Sequence, residues 1–117
     1  MKFIRPSAYL RFLNTIDALG RSNPGRSLDA TEIQLLNHIL LAADKNQHLL
    51  VGDLIRLKQF GSQATLHGRI KNLSVLGYVK LITDKDDGRK KSVVPTKLAF
   101  KYAQFLSDCL EASIKRS

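Results

Sequence analysis

Apolar side chains recur at helical spacing along the first 44 residues of the chain. Residues 7 to 19 place Tyr9 and other large apolar groups on one face, and Gly20 is a natural stop for this helix. A second helix is predicted from residue 30 to about residue 44, because Asp29 and Glu32 have the spacing of a capping box. We expect its inward side to carry the apolar residues at positions 33, 36, 39, 40 and 43.

The next segment predicts two shorter helices separated by a turn. Leu49 and Leu50 are expected to form a short strand, and a helix follows from residue 51 to about residue 58. After the turn at residues 60 and 61, Ser62 has the chemistry of a helix N-cap. The helix that it begins places apolar side chains at positions 66, 70 and 73 on one side and ends at Gly77.

A strand, a charged turn and a return strand follow this helix. Residues 78 to 83 are rich in β-forming side chains, and Ser92 begins the return strand. The turn has the sequence DKDDGRKK at residues 84 to 91, in which Gly88 supplies a residue tolerant of a positive φ angle. A helix, a strand, a basic hairpin and a return strand in this order are typical of a winged helix-turn-helix.

The complete pattern predicts a mainly α-helical protein with a small β-wing, an α+β fold in the order α-α-(β)-α-α-β-β-α. A final helix is expected from Thr96 to about Ile114. At 117 residues the chain has the length of one domain, so residues 1–117 are interpreted as a single winged-helix domain. Within it, residues 51–96 form the helix-turn-helix and wing, and residues 1–20 and 97–117 form the terminal helices.

Positive charge is concentrated in the second half of the sequence. The net charge is +9, and residues 1 to 54 hold six Lys/Arg against five acids, whereas residues 55 to 117 hold thirteen against five. Clustered positive charge attracts a polyanion. The distribution therefore favours nucleic-acid binding by the predicted helix-turn-helix and wing over a merely soluble basic surface.

The candidate recognition helix, residues 62 to 76, presents polar side chains opposite its apolar side. Short and medium polar groups near its N-terminus can meet base edges or phosphates, and the longer Arg69 and Lys71 suit the phosphate backbone. A solvated surface helix has the same polar face, so the helix alone does not decide the function. The candidate DNA-binding residues are Ser62, Gln63, Thr65, His67, Gly68, Arg69 and Lys71.

The charged turn adds a second candidate DNA-binding segment. We expect Asp87 to restrain the turn while Arg89 reaches the minor groove, whose narrow electronegative channel suits arginine. A charged surface hairpin that binds nothing is the alternative interpretation. The candidate residues of the wing are Lys85, Asp87, Arg89, Lys90 and Lys91.

The recognition helix and the wing together carry a longer motif. Residues 65 to 79 read TLHGRIKNLSVLGYV. A threonine comes first, a leucine follows within the helix and a Gly-Tyr-Val step comes last, which is similar to the pattern Thr-Val-x-Arg, then Leu, then Gly-Leu-Ile. Over residues 66 to 99 the chain resembles the multiple-antibiotic-resistance regulator (MarR) family, and five wing positions match that family without a gap: Asp84, Asp87, Arg89, Val93 and Thr96. Gly68 stands where the family usually has a DNA-contacting arginine, and Gly88 replaces the first arginine of the wing. The resemblance implies a winged-helix fold, DNA binding and dimerisation through the terminal helices.

An apolar stripe along the last helix predicts an interface between two copies of the chain. The stripe is wide, and the first helix would cover only part of it. Because the resembled family dimerises through its terminal helices, a homodimer is favoured over a monomer in which these helices pack only against each other. The candidate interface residues are Phe12, Ile16, Leu98, Tyr102, Phe105, Leu106, Cys109 and Leu110.

Other functional classes find little support in the sequence. There is no phosphate-binding glycine loop, nucleophile elbow or inward carboxylate pair, so we expect neither an enzyme nor a bound cofactor. The three histidines lack metal-ligand spacing, and the single cysteine, Cys109, is interpreted as a packing residue rather than a redox switch. A lone cysteine and the lack of a secretory signal or membrane-spanning run favour a cytoplasmic location.

The function predicted from the sequence is that of a transcriptional regulator, a repressor, that binds double-stranded DNA. The recognition helix would enter the major groove and the wing would lie in the adjacent minor groove. Two alternatives stay open: a plasmid or phage accessory protein acting in replication or partition, and a winged helix used as a protein-interaction module. The sequence identifies neither an operator nor a small-molecule effector.

Overall fold

The computed structural model describes residues 7 to 114, and these form five α-helices, a 3-10 turn at Gly20–Ser22 and one antiparallel pair of strands. The helices are α1 (Ala8–Ala18), α2 (Ala30–Asp44), α3 (Val51–Ile55), α4 (Gln63–Val75) and α5 (Lys97–Ile114), and the strands are β1 (Val79–Thr83) and β2 (Lys91–Pro95). An isolated bridge joins Leu50 to Ser92 where the short strand was expected. This order confirms the predicted winged-helix architecture. Among the described residues, no helix is both long and apolar enough to span a membrane.

The described chain divides into two compact units. Ser27–Phe100 forms one unit, which contains the helix-turn-helix and the hairpin and is called the winged unit below. Residues 7 to 26 and 101 to 114 form the other, called the terminal unit, which contains α1 and most of α5. The interpretation of the whole chain as a single domain stays a prediction.

Helices α2, α3 and α4 and the hairpin supply the core of the winged unit. The apolar stripe predicted on α4 is confirmed, because its leucines and isoleucine are at most 1% exposed. In the hairpin, Val79 pairs with Pro95 and Leu81 pairs with Val93, so that β1 and β2 each turn a valine toward the core. The largest fully buried side chains of this unit are Leu35, Leu36, Ile39, Leu54, Leu66, Ile70, Leu73 and Val79.

Helix α2 is rotated relative to the sequence-based expectation. Positions 36 and 39 are buried as predicted, but Leu35 and Ala42 are buried as well, whereas positions 33, 40 and 43 are only half-buried. The prediction for these three positions was wrong because Glu32, a charged residue, lies on the inward side and is 2% exposed. Its carboxylate accepts a hydrogen bond from α4, as described below.

Two glycines in the winged unit differ in what they do. Gly77 has a φ of +91°, a conformation that only glycine adopts readily, and it turns the chain from α4 into β1. Thr96 secures this turn by donating its hydroxyl to the carbonyl oxygen of Gly77. Gly88 has no positive φ, so the conformational reason expected for a glycine in the wing is wrong.

In the terminal unit, α1 and α5 bury few side chains. Arg11 donates from Nε to the carbonyl oxygen of Ser113 at 2.9 Å, but α1 has no fully buried residue. Tyr102 and Cys109 are 4% and 2% exposed in the single chain, so these two candidate interface residues are already covered by their own chain. Burial raises the pKa of the Cys109 thiol above its usual 9.0, and Asp108 adds to the rise.

The other candidate interface residues keep accessible surface. Leu110 is 48% exposed, and Tyr9, Leu10, Leu13 and Ile114 add further exposed apolar surface to the same unit. The half-buried candidates are Phe12, Ile16, Leu98, Phe105 and Leu106. Their role in a dimer stays a prediction.

Gly25 provides a test of the packing in the terminal unit. A Cβ atom at Gly25 would lie 2.3 Å from Cε1 of Tyr102, whereas a Cβ at Gly20 would meet nothing within 4 Å. We expect Gly25→Ala to lower the free energy of unfolding by about 1–3 kcal/mol, because the buried ring must move. Gly20→Ala is the matched control and should leave stability unchanged or slightly raised. Urea denaturation of the three proteins measures both effects, and equal stability of the two variants would contradict this packing.

Candidate nucleic-acid interface

The N-terminus of α4 is exposed and is capped by its own side chains. The amide of Thr65 donates to Oγ of Ser62 at 3.2 Å, and the Ser62 hydroxyl donates to Oγ1 of Thr65 at 2.9 Å. Ser62 is therefore the predicted N-cap. Because Oγ1 of Thr65 already accepts a hydrogen bond, its own proton is available for an external acceptor such as a base edge or a phosphate.

One flank of α4 is held by the capping box at the start of α2. Asp29 and Glu32 form the predicted box, with the Glu32 amide donating to Asp29 Oδ1 at 2.8 Å and the Asp29 amide donating to Glu32 Oε1 at 2.9 Å. Asn72 of α4 donates from Nδ2 to the other oxygen of Glu32. Arg69, one turn earlier, places its guanidinium 3.2 Å from Oδ2 of Asp29. This flank of the recognition helix is thus joined to α2.

The opposite flank of α4 faces the hairpin. His67, Lys71 and Ser74 line a cavity of about 350 Å³ together with residues of α3, β1 and β2. Lys71 forms no ion pair within the described part of the chain. Between the two flanks lies Gly68, where an added Cβ would meet nothing within 4 Å. The exposed side of α4 therefore has no side chain at its centre, where Gly68 lies, and it is cationic on the flank that faces the wing.

Two aspartates shape the turn of the wing. Oδ1 of Asp84 accepts from the amides of Asp86 and Asp87 at 2.8 and 3.2 Å. Oδ1 of Asp87 accepts from the amide of Arg89 at 3.0 Å and from its Nε at 3.3 Å. The side chain of Arg89 nevertheless stays 94% exposed. Asp87 restrains the turn as the sequence predicted, and the guanidinium of Arg89 remains accessible.

The turn also changes the acidity of Asp84. Its pKa lies below the usual 3.8 because the amides of Asp86 and Asp87 donate to the ionised carboxylate, with smaller contributions from Lys90 and His48. The ionised form of Asp84 therefore stabilises the turn.

A cleft of about 560 Å³ opens between α3, α4 and the wing, and we call it the basic cleft. Its wall carries four cationic side chains and His67 against a single carboxylate, Asp53, whose contact with Arg56 is 3.8 Å long and solvent-exposed. An anion in this cleft would meet a strongly positive potential. The lining residues are Leu50, Val51, Gly52, Asp53, Ile55, Arg56, His67, Gly88, Arg89, Lys90 and Lys91.

The structure brings five of the candidate residues together around the two cavities between α4 and the wing: His67, Lys71, Arg89, Lys90 and Lys91. Every candidate on the recognition helix is exposed, and so is every candidate of the wing except Asp87, which is half-buried. Arg56 was not among the predicted residues, yet it lies in the basic cleft although it precedes the recognition helix. Its signal was its position as the first cation of the basic half of the chain. Whether these residues contact DNA stays a prediction.

Solved structures share this arrangement of helices and hairpin. The heme sensor protein PefR, in complex with heme and carbon monoxide, is 18% identical over 86% of this chain, which spans 66% of that protein, with a TM-score of 0.65. The adhesin competence repressor AdcR from Streptococcus pyogenes is 24% identical over 87% of this chain and 69% of its own, with a TM-score of 0.54. A MarR protein from Peptoclostridium difficile is 21% identical over 96% of this chain and 75% of its own, with a TM-score of 0.56. The chain has the fold of a MarR-type winged helix.

The resemblance noted in the sequence is thus confirmed at the level of the fold. The sequence itself matches no protein-family model and no curated protein. The function of this MarR-type fold must therefore be argued from the residues on its surface.

The lowered pKa of Asp84 gives a pH prediction for the wing of this MarR-type fold. A depressed folded-state pKa contributes stability that is present above 3.8 and is lost as the pH falls through the folded-state value. We expect the turn to loosen locally at a pH below 3.8 and, in Asp84→Ala, already at neutral pH. Hydrogen exchange at the amides of residues 86 and 87 measures this. Asp86→Ala, which keeps both amide donors, should preserve their protection, and equally fast exchange in both variants would show that Asp84 does not hold the turn.

Proposed function

We propose that this protein is a transcriptional regulator that binds double-stranded DNA through α4 and the basic cleft. The observation that carries the proposal is the basic cleft itself, because it places the cations of α3 and the wing beside the exposed side of one helix. A helix of this kind fits the major groove, and an adjacent cationic loop fits the minor groove beside it. Arg56, Lys90 and Lys91 would neutralise phosphates, while Arg89 would enter the minor groove.

Proteins of the same fold support this proposal. AbfR in its reduced form has been solved bound to DNA, and it is 14% identical over 91% of this chain with a TM-score of 0.56. BpsR of Bordetella bronchiseptica, 20% identical over 94% of this chain with a TM-score of 0.50, has its DNA binding regulated by 6-hydroxynicotinic acid. By analogy we infer DNA binding, repression through occupation of a promoter and a cytoplasmic location for this chain. The proposal assigns no effector.

We further propose that the protein acts as a homodimer. The terminal unit exposes apolar side chains of both its helices, among them Tyr9, Leu13 and Ile114, which a second copy would cover. A two-fold dimer would present two α4 helices to half-sites about one helical turn apart, roughly 34 Å. Two short helices then read enough base pairs for a specific site, which one α4 alone does not.

Arg89 tests the assignment of the wing. Arg89→Ala should weaken binding to every duplex and should reduce the slope of log affinity against log salt by about 1, because a cation in the minor groove also releases a counterion from the duplex and this cation is lost. Lys97→Ala is the control, since it removes an equal charge from an exposed position at the other end of the hairpin. Fluorescence anisotropy at several salt concentrations measures both. Unchanged affinity in Arg89→Ala would remove the wing from the interface.

Gln63 and Thr65 test the assignment of α4. Gln63→Ala and Thr65→Val each remove an exposed hydrogen-bonding group near the N-terminus of the helix without changing the charge. We expect them to alter base preference at one position of the site by about 1–3 kcal/mol and to leave the salt slope unchanged. Selection of bound fragments from random duplex DNA, before and after each substitution, measures the preference.

The same selection, combined with the mass of the protein in solution, tests the whole proposal. A palindromic site bound by a dimer is the expected result. Absence of duplex binding at low salt would favour the protein-interaction module instead, because several phosphate contacts should make affinity fall about 10³-fold or more between low and moderate salt. A plasmid or phage accessory protein would also bind duplex DNA in this experiment. The location of the selected sites would distinguish it from a transcriptional regulator.

A further inference from the structure

Two acidic residues at the start of α2 serve two helices at once. Asp29 uses Oδ1 to accept the amide of Glu32 at 2.8 Å and presents Oδ2 to Arg69 at 3.2 Å. Glu32 uses Oε1 to accept the amide of Asp29 at 2.9 Å and presents Oε2 to Asn72. Each carboxylate thus caps α2 with one oxygen and contacts α4 with the other.

The two contacts on α4 differ in their effect on charge. Asn72 is neutral, so its bond to Glu32 joins the helices without changing the charge that α4 presents. Arg69 is cationic, and its ion pair with Asp29 leaves its side chain only 46% exposed. By contrast, Arg89 keeps 94% of its side chain exposed although it also pairs with an aspartate. Of the two long cations of α4, Lys71 is unpaired within the described residues and Arg69 is paired with Asp29.

A phosphate interacts less favourably with an arginine that is already paired with a carboxylate than with an unpaired one. The guanidinium would have to leave Asp29, or the phosphate would have to approach a carboxylate of its own sign. Both side chains of the pair are about half exposed, so the pair borders the solvent-facing surface of α4 and either arrangement would affect a phosphate that approaches there.

We propose that Asp29 keeps Arg69 away from the phosphate backbone and thereby limits the sequence-independent affinity of the protein for DNA. Asp29 is a positioning residue in this account, acting through Arg69. The inference rests on the proposed function, because it concerns the strength of DNA binding. Asp29 would thus have a role in DNA binding in addition to its role as the N-cap of α2.

The test uses Asp29→Asn, because asparagine caps a helix N-terminus about as well as aspartate but carries no charge. Freeing one cation should steepen the slope of log affinity against log salt by about 0.9. At a salt concentration of roughly 0.1 M this corresponds to about five- to tenfold tighter binding of any duplex. Thermal unfolding monitors whether the variant keeps its fold.

A double-mutant cycle separates this mechanism from a general gain in charge. Arg69→Gln alone should leave the slope unchanged, since Arg69 does not contact phosphate in the wild type. The pair Asp29→Asn with Arg69→Gln should then bind like the wild type. Asp44→Asn, which removes an exposed carboxylate from the other end of α2, is the control for charge alone and should have little effect.

Three outcomes overturn the inference. A slope that falls by about 1 in Arg69→Gln shows that Arg69 already contacts phosphate in the wild type. A slope that steepens equally in Asp29→Asn with and without Arg69 shows an effect of charge alone. An unchanged slope in Asp29→Asn shows that Arg69 stays away from DNA for another reason. All three leave the proposed function intact, whereas failure of the wild type to bind any duplex overturns the proposed function and this inference together.

Discussion

A buried carboxylate, that of Glu32, links two helices of the winged unit, because it is 2% exposed and joins the start of α2 to the C-terminal half of α4. A carboxylate in such a place is tolerated only when its oxygens are hydrogen-bonded, and here the Asp29 amide and Asn72 each donate to one of them. Removing one donor would leave a buried acceptor unsatisfied, at a cost of about 1–3 kcal/mol. The same carboxylate lies near the phenol of Tyr78, whose pKa is raised above 10.0 mainly by burial and to a lesser extent by Glu32, against a lowering by its bond with Ser27. One group therefore contacts the start of α2 and the C-terminal half of α4, and it lies near the residue that precedes β1.

This constraint determines which side of α4 is left for a ligand. The flank with Arg69 and Asn72 is occupied by α2, and the inward stripe is filled by core side chains. What remains is the outward side around Gly68 and the flank with His67 and Lys71, which borders the wing. The basic cleft opens at the same border, so the accessible side of the helix and the strongest positive charge coincide. That coincidence arises from packing, since residues far apart in sequence form the cleft.

Local chemistry explains what the sequence predicted well. The N-caps at Asp29 and Ser62, the glycine stop at residue 77 and the charged turn are each read from a few adjacent residues, and their bounds agree closely with the structure. The burial pattern of α2 was not predictable from its own periodicity, because a charged residue, Glu32, lies on its inward side and bonds Asn72, forty positions away along the chain. Apolar spacing on α5 could not tell a residue covered by its own chain, such as Tyr102, from one left for a partner, such as Leu110. Arg56 was missed because only the folded chain brings the end of α3 to the wing.

The acidic residues of the winged unit illustrate how a basic protein can carry carboxylates at the surface that we propose binds a polyanion. The carboxylates of Asp84 and Asp87 accept hydrogen bonds from backbone amides within the turn, and the depressed pKa of Asp84 reflects that stabilisation. Ion pairs then act differently according to how they place the cation. The pair of Asp87 with Arg89 leaves the guanidinium in solvent, whereas the pair of Asp29 with Arg69 holds it against α2. A count of charged residues treats these two arginines as equal. Their contribution to binding a phosphate backbone depends instead on which of them an aspartate leaves accessible.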